Sequence, residues 1–469
     1  MKIQYIIIAF VTAILSITAF TTQAQVAAEI NKKEFKQGKN GYKDAMASIK
    51  YADTYYEMGQ PGAFRMALTE YLKAYEYNQH YPELNYKIGA CYLYSTEKEK
   101  AIDFLEKAYK AKPGVANDIY YLLGWANHMV YNFDEAMEYY RKFKIESPQT
   151  ESKKKNDVVV HDVDKRIDEC ERGKKLTTNP IRVFIDNLGA TVNSKYPDYG
   201  PVITTDESLV IFTSRREGST DGEIDPNDML YYEDLYIAYN DDNKGWSQAI
   251  NMRALNTEGH DASVGLSPDG QLLYTYKGVP DGTLFESKLD GDNWTKPKEM
   301  NKNINTKYHE TSASISYDSK YLYFVSDRVK DEFGTSSFGG KDIFVCEKQS
   351  NGKWGSAKNL GAPINTKYDE EGVFMHPDGI TMYFCSKRKG SMGGYDIFYS
   401  ENDGAENWSE PVNIGYPVNT PDDDVFFVVA GNARYAYYSS ARDDGYGLQD
   451  IYRITFLGPE KMMVVGSED

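Results

Sequence analysis

Ile304 to Ala313 reads INTKYHETSA, and Ile364 to Val373, sixty residues further on, reads INTKYDEEGV. Weaker copies of the same stretch begin at Asn193, Asn256 and Asn419, so that with Asn305 and Asn365 there are five. Each Asn follows an aliphatic residue (Val192, Leu255, Ile304, Ile364, Val418) and precedes Ser or Thr. Five positions after each Asn stands an acid, Asp198, Asp261, Glu310, Glu370 or Asp424, and thirteen positions after it a turn residue, Asp206, Asp269, Asp318, Asp378 or Asn432. A reaction needs one constellation; a register kept through five copies is a building device. Asn and Thr fold such a turn through side-chain-to-backbone bonds, and the acid is placed to satisfy amides or a nearby Arg.

Between acid and turn lies a short alternating run such as Ala313 to Ser316, and after the turn a stronger one, Tyr321 to Ser326. Together they predict a β-hairpin. A third run starts at Asp234, Asp342, Asp396 and Asp450, degenerate in the second unit at Gly282 to Phe285, and Trp246, Trp294, Trp354 and Trp408 hold one slot beyond it. A fourth strand follows, and four strands repeated in tandem predict β-propeller blades. Five blades is the count expected, six the alternative. The last unit has Met462 in its Trp slot, so Asn179 to Ile185 is expected to close the ring by pairing into the last blade, leaving no open edge.

The first half has a different period. Gly89, Tyr92, Ala101, Leu105, Ala108 and Pro113 recur as Gly124, Asn127, Ala136, Tyr140, Phe143 and Pro148, offset by 35, and an earlier unit has Ala52, Tyr55, Ala67, Tyr71 and Ala74. These residues resemble the tetratricopeptide repeat, a helix-turn-helix with small residues where its helices cross. Val158 to Arg172 reads as a capping helix. The expected fold is therefore multidomain, α then β: a helical-repeat solenoid over 35–175 and a propeller over 179–458. The solenoid's concave groove suits peptide or protein segments, or else the unit is a spacer. Tyr51, Tyr86, Tyr120 and Trp125 read as packing residues.

Met1-Lys2, the apolar run Tyr5 to Phe20 and Thr22-Gln23-Ala24 predict a cleaved signal peptide over 1–24, with a periplasmic mature chain and no transmembrane segment after cleavage. No cysteine near the cleavage point suggests lipid attachment. With 53 basic against 70 acidic residues, net −17, a nucleic-acid partner is excluded, since such proteins neutralise phosphates with Lys and Arg. Cys91, Cys170, Cys346 and Cys385 read as buried thiols rather than two disulfides. The 40 tyrosines suit strands with a buried ring and a wet hydroxyl.

The Asn-Thr loop, Ser-Arg after the second strand (Ser214-Arg215, Ser326-Asp327-Arg328, Ser386-Lys387-Arg388), Gly393 to Phe398 and the Trp resemble the WD40-like, TolB-type propeller repeat. Joined to tetratricopeptide repeats behind a signal peptide, the chain resembles the OmpA-family periplasmic proteins of Bacteroidota, including a type IX secretion component. The resemblance implies a non-enzymatic scaffold binding protein partners of an outer-membrane or envelope complex, without a cofactor. Family members continue into an OmpA-like domain; with only a tail over 459–469, direct peptidoglycan binding is not carried over. The alternative is a propeller hydrolase or glycan-binding module acting on envelope or dietary glycans or peptides.

No Gly-x-Ser-x-Gly elbow, phosphate-binding glycine loop or His-Glu-x-x-His helix occurs. His260 and His309 share a register beside Asp261 and Glu310, but the other units have Pro197, Asp369 and Asp423 there, which argues against a metal rim. Asp290-Gly291 and Asp403-Gly404 read as hairpin turns rather than sialidase-type boxes. The loop from second to third strand is long and charged in the first unit (Arg215 to Glu233) and Gly/Ser-rich in the third (Val329 to Lys341). Unlike loops on a constant scaffold predict a partner-binding face, with Arg215, Arg216, Arg328, Arg388 and Arg442 as candidates; their other role is salt bridging to the neighbouring blade's acids.

Overall fold

The computed structural model describes residues 28–146, 163–220, 222–226, 228–241, 244–278, 282–404 and 407–458. The signal peptide expected over 1–24, the tail over 459–469 and the start of the expected capping helix lie outside the described residues.

The helices run in chain order as α1 (Lys32–Phe35), α2 (Tyr42–Tyr56), α3 (Pro61–Tyr75), α4 (Pro82–Tyr92), α5 (Ala101–Ala111), α6 (Ile119–Met129), α7 (Phe133–Glu146) and α8 (Val163–Thr178). Pro61 and Pro82 open α3 and α4 at the first helical position, where a missing N–H costs no bond and φ is already helical. From α2 onward each helix packs on the next. The offset-35 pair explains the close approach: a Cβ on Gly89 would come within 2.6 Å of Leu105, and one on Gly124 within 2.7 Å of Tyr140. Larger residues there would push the helices apart. Tyr71 and Tyr86, fully buried, keep their hydroxyls satisfied by donating to Asp53 (2.6 Å) and Asp118 (2.7 Å), which avoids the cost of a dry, unpaired hydroxyl. Tyr120 and Trp125 are half-buried, whereas Tyr51 points outward, 66% exposed.

Strands begin at Val183. Four consecutive sheets each arise from one sequence unit, with inner strands Asp198–Ile203, Asp261–Leu266, Glu310–Ile315 and Glu370–Met375. The fifth has Val425–Val429, Tyr435–Ser440 and Asp450–Phe456, and its outer strand is Val183–Asn187 from the other end of the chain. That strand pairs antiparallel along its length, Val183 opposite Phe456 and Asn187 opposite Tyr452. Among the described residues the blades number five, and the N-terminal strand closes the ring. Trp246 and Trp294 form two-residue outer strands folded back on the third strand of their blades, and Trp354 and Trp408 form single bridges in the same place. The four cysteines are buried free thiols.

The helical unit sits on the propeller face that carries the Asn-Thr turns. Turns, helix ends and α8 make the contacts. Lys98, in the 3-10 turn before α5, pairs with Asp422, and the Tyr131 ring meets Tyr416 edge-on at 5.8 Å. His128 Nε2 lies 2.8 Å from the carbonyl of Met392, whose side chain is buried in the helical core. A Cβ on Gly62 would collide with the Asp228 carbonyl. The first, fourth and fifth blades thus lie under the helices.

Candidate functional site

The repeated turn is a clamp between blades. Each Asn side-chain amide pairs like a strand residue with one third-strand residue of the preceding blade. Asn193 takes Ile451, Asn256 takes Leu235, Asn305 takes Leu284, Asn365 takes Ile343 and Asn419 takes Ile397. In every case Nδ2 donates to that residue's carbonyl and Oδ1 accepts its N–H. The acid then ties the turn: Asp198, Asp261, Glu310, Glu370 and Asp424 each accept from the N–H and hydroxyl of the Ser or Thr after the Asn.

Cations complete the clamp from within the same blade. Arg216 bonds Asp198 at 2.5 Å, Lys277 pairs with Asp261, Arg328 bonds Glu310 at 3.1 Å, and Arg388 lies 3.4 Å from Glu370. Burial raises the Glu310 and Glu370 carboxyls, Glu370 to about 7, with the neighbouring guanidinium opposing it. Arg442 donates to the Pro417 carbonyl (3.0 Å) and the Tyr438 hydroxyl (2.9 Å). Arg215 holds Asp228 at 2.5 and 3.0 Å. On the face expected to present these five arginines, Arg215, Arg328 and Arg388 are buried and Arg216 and Arg442 half-buried, and each makes hydrogen bonds within the propeller.

A different group of residues gathers at the junction of the first and second blades. The His260 imidazole lies between two carboxylates, with Nε2 3.1 Å from Asp225 and Nδ1 2.9 Å from Glu233. Tyr199 donates its hydroxyl to the other Glu233 oxygen, and the Tyr232 ring meets the imidazole at 4.8 Å. Burial alone would lower the imidazole pKa, but the Glu233 charge, with Asp225, outweighs it and raises it to about 9. Burial pushes the Glu233 carboxyl up; His260, Arg215 and the Tyr199 hydroxyl together hold it below its usual value. The result is an imidazolium at neutral pH, clamped between anions.

His260 also lines a cleft of about 540 Å³ with Thr220, Asn256, Thr257, Glu258, Gly259 and Gly278. Glu258 is exposed, so the cleft holds a reachable carboxylate and a protonated nitrogen together. A second, much smaller cavity of about 20 Å³ lies among inner-strand residues including Gly200, Gly372 and Phe426. Among the described residues no ion pair ties a carboxylate to the ring of His309, which shares the sequence register of His260, and its Nδ1 is buried without a hydrogen-bond partner there. Among the described residues no three His, Cys, Asp or Glu groups converge as metal ligands.

Glu233, Asp225 and Tyr199 were not singled out by their sequence. Glu233 holds the position before the third-strand Asp, where the other blades have Lys341, Tyr395 and Gln449, and Asp225 lies in the long charged insert of the first unit. That variation in a fixed register was the available signal.

No protein-family model matches the sequence, and no curated protein does. Solved structures similar to the chain include a glycoside hydrolase at 9% identity, covering 64% of this chain and 98% of its own, TM-score 0.42. Another is a GH43 β-xylosidase/α-arabinofuranosidase from a compost metagenome, at 13% identity over 59% of this chain and 94% of its own, TM-score 0.39. A third is a gluconolactonase from Xanthomonas campestris, at 11% identity over 59% of this chain and 90% of its own, TM-score 0.31. By name they are two glycoside hydrolases and a lactonase, where the resemblance implied a non-enzymatic scaffold; the group of His260, Glu233 and Asp225 beside a cleft was not foreseen by that reading.

Proposed function

We propose that this chain is a propeller hydrolase acting on glycans in the cleft beside His260. The observation that carries the reading is the imidazolium held by Glu233 and Asp225 in a cleft that also contains the Glu258 carboxylate. Glycosidic bonds break through an oxocarbenium-like state served by one proton donor and one carboxylate. Peptide bonds ask for a nucleophile and an oxyanion hole, and the sequence has no nucleophile elbow.

In this scheme His260 Nε2–H leaves its bond to Asp225 and gives its proton to the leaving glycosidic oxygen as the bond to the anomeric carbon breaks. Glu258 takes a proton from the attacking water, whose oxygen forms the new bond. Once His260 is neutral, Glu233 and Asp225 carry uncompensated negative charge beside the developing cation, which favours the transition state. Solvent then returns the proton from Glu258 to His260.

The test is incubation of purified protein with envelope and plant polysaccharides, reading new reducing ends and fragment masses. Fragments that disappear in a His260→Gln variant support the reading. Calorimetric binding without any fragment would replace it with a glycan-binding module.

The helical unit is read as tetratricopeptide repeats whose concave groove takes a segment of an envelope protein, an outer-membrane complex component being the expected partner, and the N-terminal apolar run as a periplasmic export signal. Cell fractionation, with cross-linking and affinity isolation from the envelope, tests both.

A further inference from the structure

Phe426 has φ +57°, a left-handed conformation that bulky residues seldom adopt. It stands two residues after its blade's acid, Asp424, where the inner strand slips register. At the same slot the first blade has Gly200 (φ +63°) and the fourth has Gly372 (φ +57°), each at its own register shift. Glycine is the unstrained solution to this bulge. A Phe kept in a strained backbone points to what its ring does.

Phe426 lines the small cavity among the inner strands, and its ring stacks on Tyr199, with centroids 6.2 Å apart and planes inclined by 20°. Tyr199 is buried, and its hydroxyl donates to Glu233, whose other oxygen faces His260 Nδ1 at 2.9 Å. The blades thus form a chain of contacts, Phe426 to Tyr199 to Glu233 to His260. The second-blade counterpart of Tyr199 is Ala262 and the fifth-blade counterpart is Val425, so the phenol is no general feature of the repeat.

We infer that Phe426 is a positioning residue that fixes the Tyr199 hydroxyl on Glu233 and so sets the environment of His260. The inference rests on the proposed cleft site but is tested apart from it. His260 is faced by Glu233 and Asp225, by Arg215 through its charge and by the Tyr232 ring; the ring contact that links Phe426 to this group is the one with Tyr199.

The experiment follows the His260 imidazole titration by NMR in the whole protein, in wild type, Phe426→Gly, Tyr199→Phe and the double variant. Thermal melts confirm folding, and Phe426→Tyr is the conservative control. Both single variants are expected to move the midpoint by about half a pH unit or more, the double variant by no more than Tyr199→Phe alone, and Phe426→Tyr hardly at all. A Phe426→Gly titration unchanged from wild type, or effects that simply add, would overturn the inference. A protein without hydrolytic activity would refute the proposed function and leave this measurement standing.

Discussion

The Asn365 side chain pairs edge-on with the backbone of Ile343, donating to its carbonyl at 2.9 Å and accepting its N–H at 2.8 Å. It thereby supplies the last rung of the ladder in the third blade from the first residues of the fourth. Removing the amide leaves the buried Ile343 N–H without a partner, at a cost of about 1–3 kcal/mol, while the Ile343 carbonyl keeps the Leu360 N–H at 3.1 Å. Asn365→Ala is expected to cost roughly 1–3 kcal/mol in urea unfolding. Asn365→Asp keeps the acceptor and loses the donor, and should cost as much, because it adds a buried charge. A loss below about 0.5 kcal/mol, the scale of an ordinary surface substitution, would show that the clamp is incidental.

His260 gives stability a pH dependence whose sign is fixed. Its folded pKa is raised to about 9, above the usual value of about 6.5 expected when unfolded. The ion pairs therefore contribute fully below about pH 6.5, and the contribution falls away as pH rises through about 9. Comparison of unfolding free energies at pH 6 and pH 9.5 is expected to show a loss of order 2–3 kcal/mol that His260→Asn lacks. Equal slopes in the two proteins would contradict the clamped imidazolium.

Gly62 tests the seat of the helical unit. A side chain there meets the Asp228 carbonyl, so Gly62→Val is expected to lift α3 from the first blade while each unit stays folded. Hydrogen exchange should quicken around Met229, Met392 and Tyr416 and stay slow within the blades, with hardly any change in helical content. Uniform quickening would mean that the two units unfold together.

Much of the propeller was legible because its blades repeat. A fixed interval from Asn to acid to turn reports geometry that every copy must satisfy, and the missing Trp of the last unit already placed the closing strand. The site was hard to read for the opposite reason. His260 looked like one member of a register with His309, yet the groups that distinguish it, Asp225 and Glu233, approach from the first blade's insert and from its third strand. Arg215, Arg216, Arg328, Arg388 and Arg442 misled in the other direction. Their charge suggested a surface, but a guanidinium has donors enough to be satisfied within a buried turn, as Arg328 is by Ser326, Ile304 and Glu310.

The most direct measurement is hydrolysis by the purified wild-type protein, set beside His260→Gln and Glu258→Gln, on the polysaccharide that gives the most fragments. The account predicts chain cleavage at neutral pH that falls as pH rises towards 9, and at least a roughly 100-fold loss in each variant, the scale of removing a general acid or base. Fragments released equally by all three proteins, or by none of them on any glycan, would contradict it.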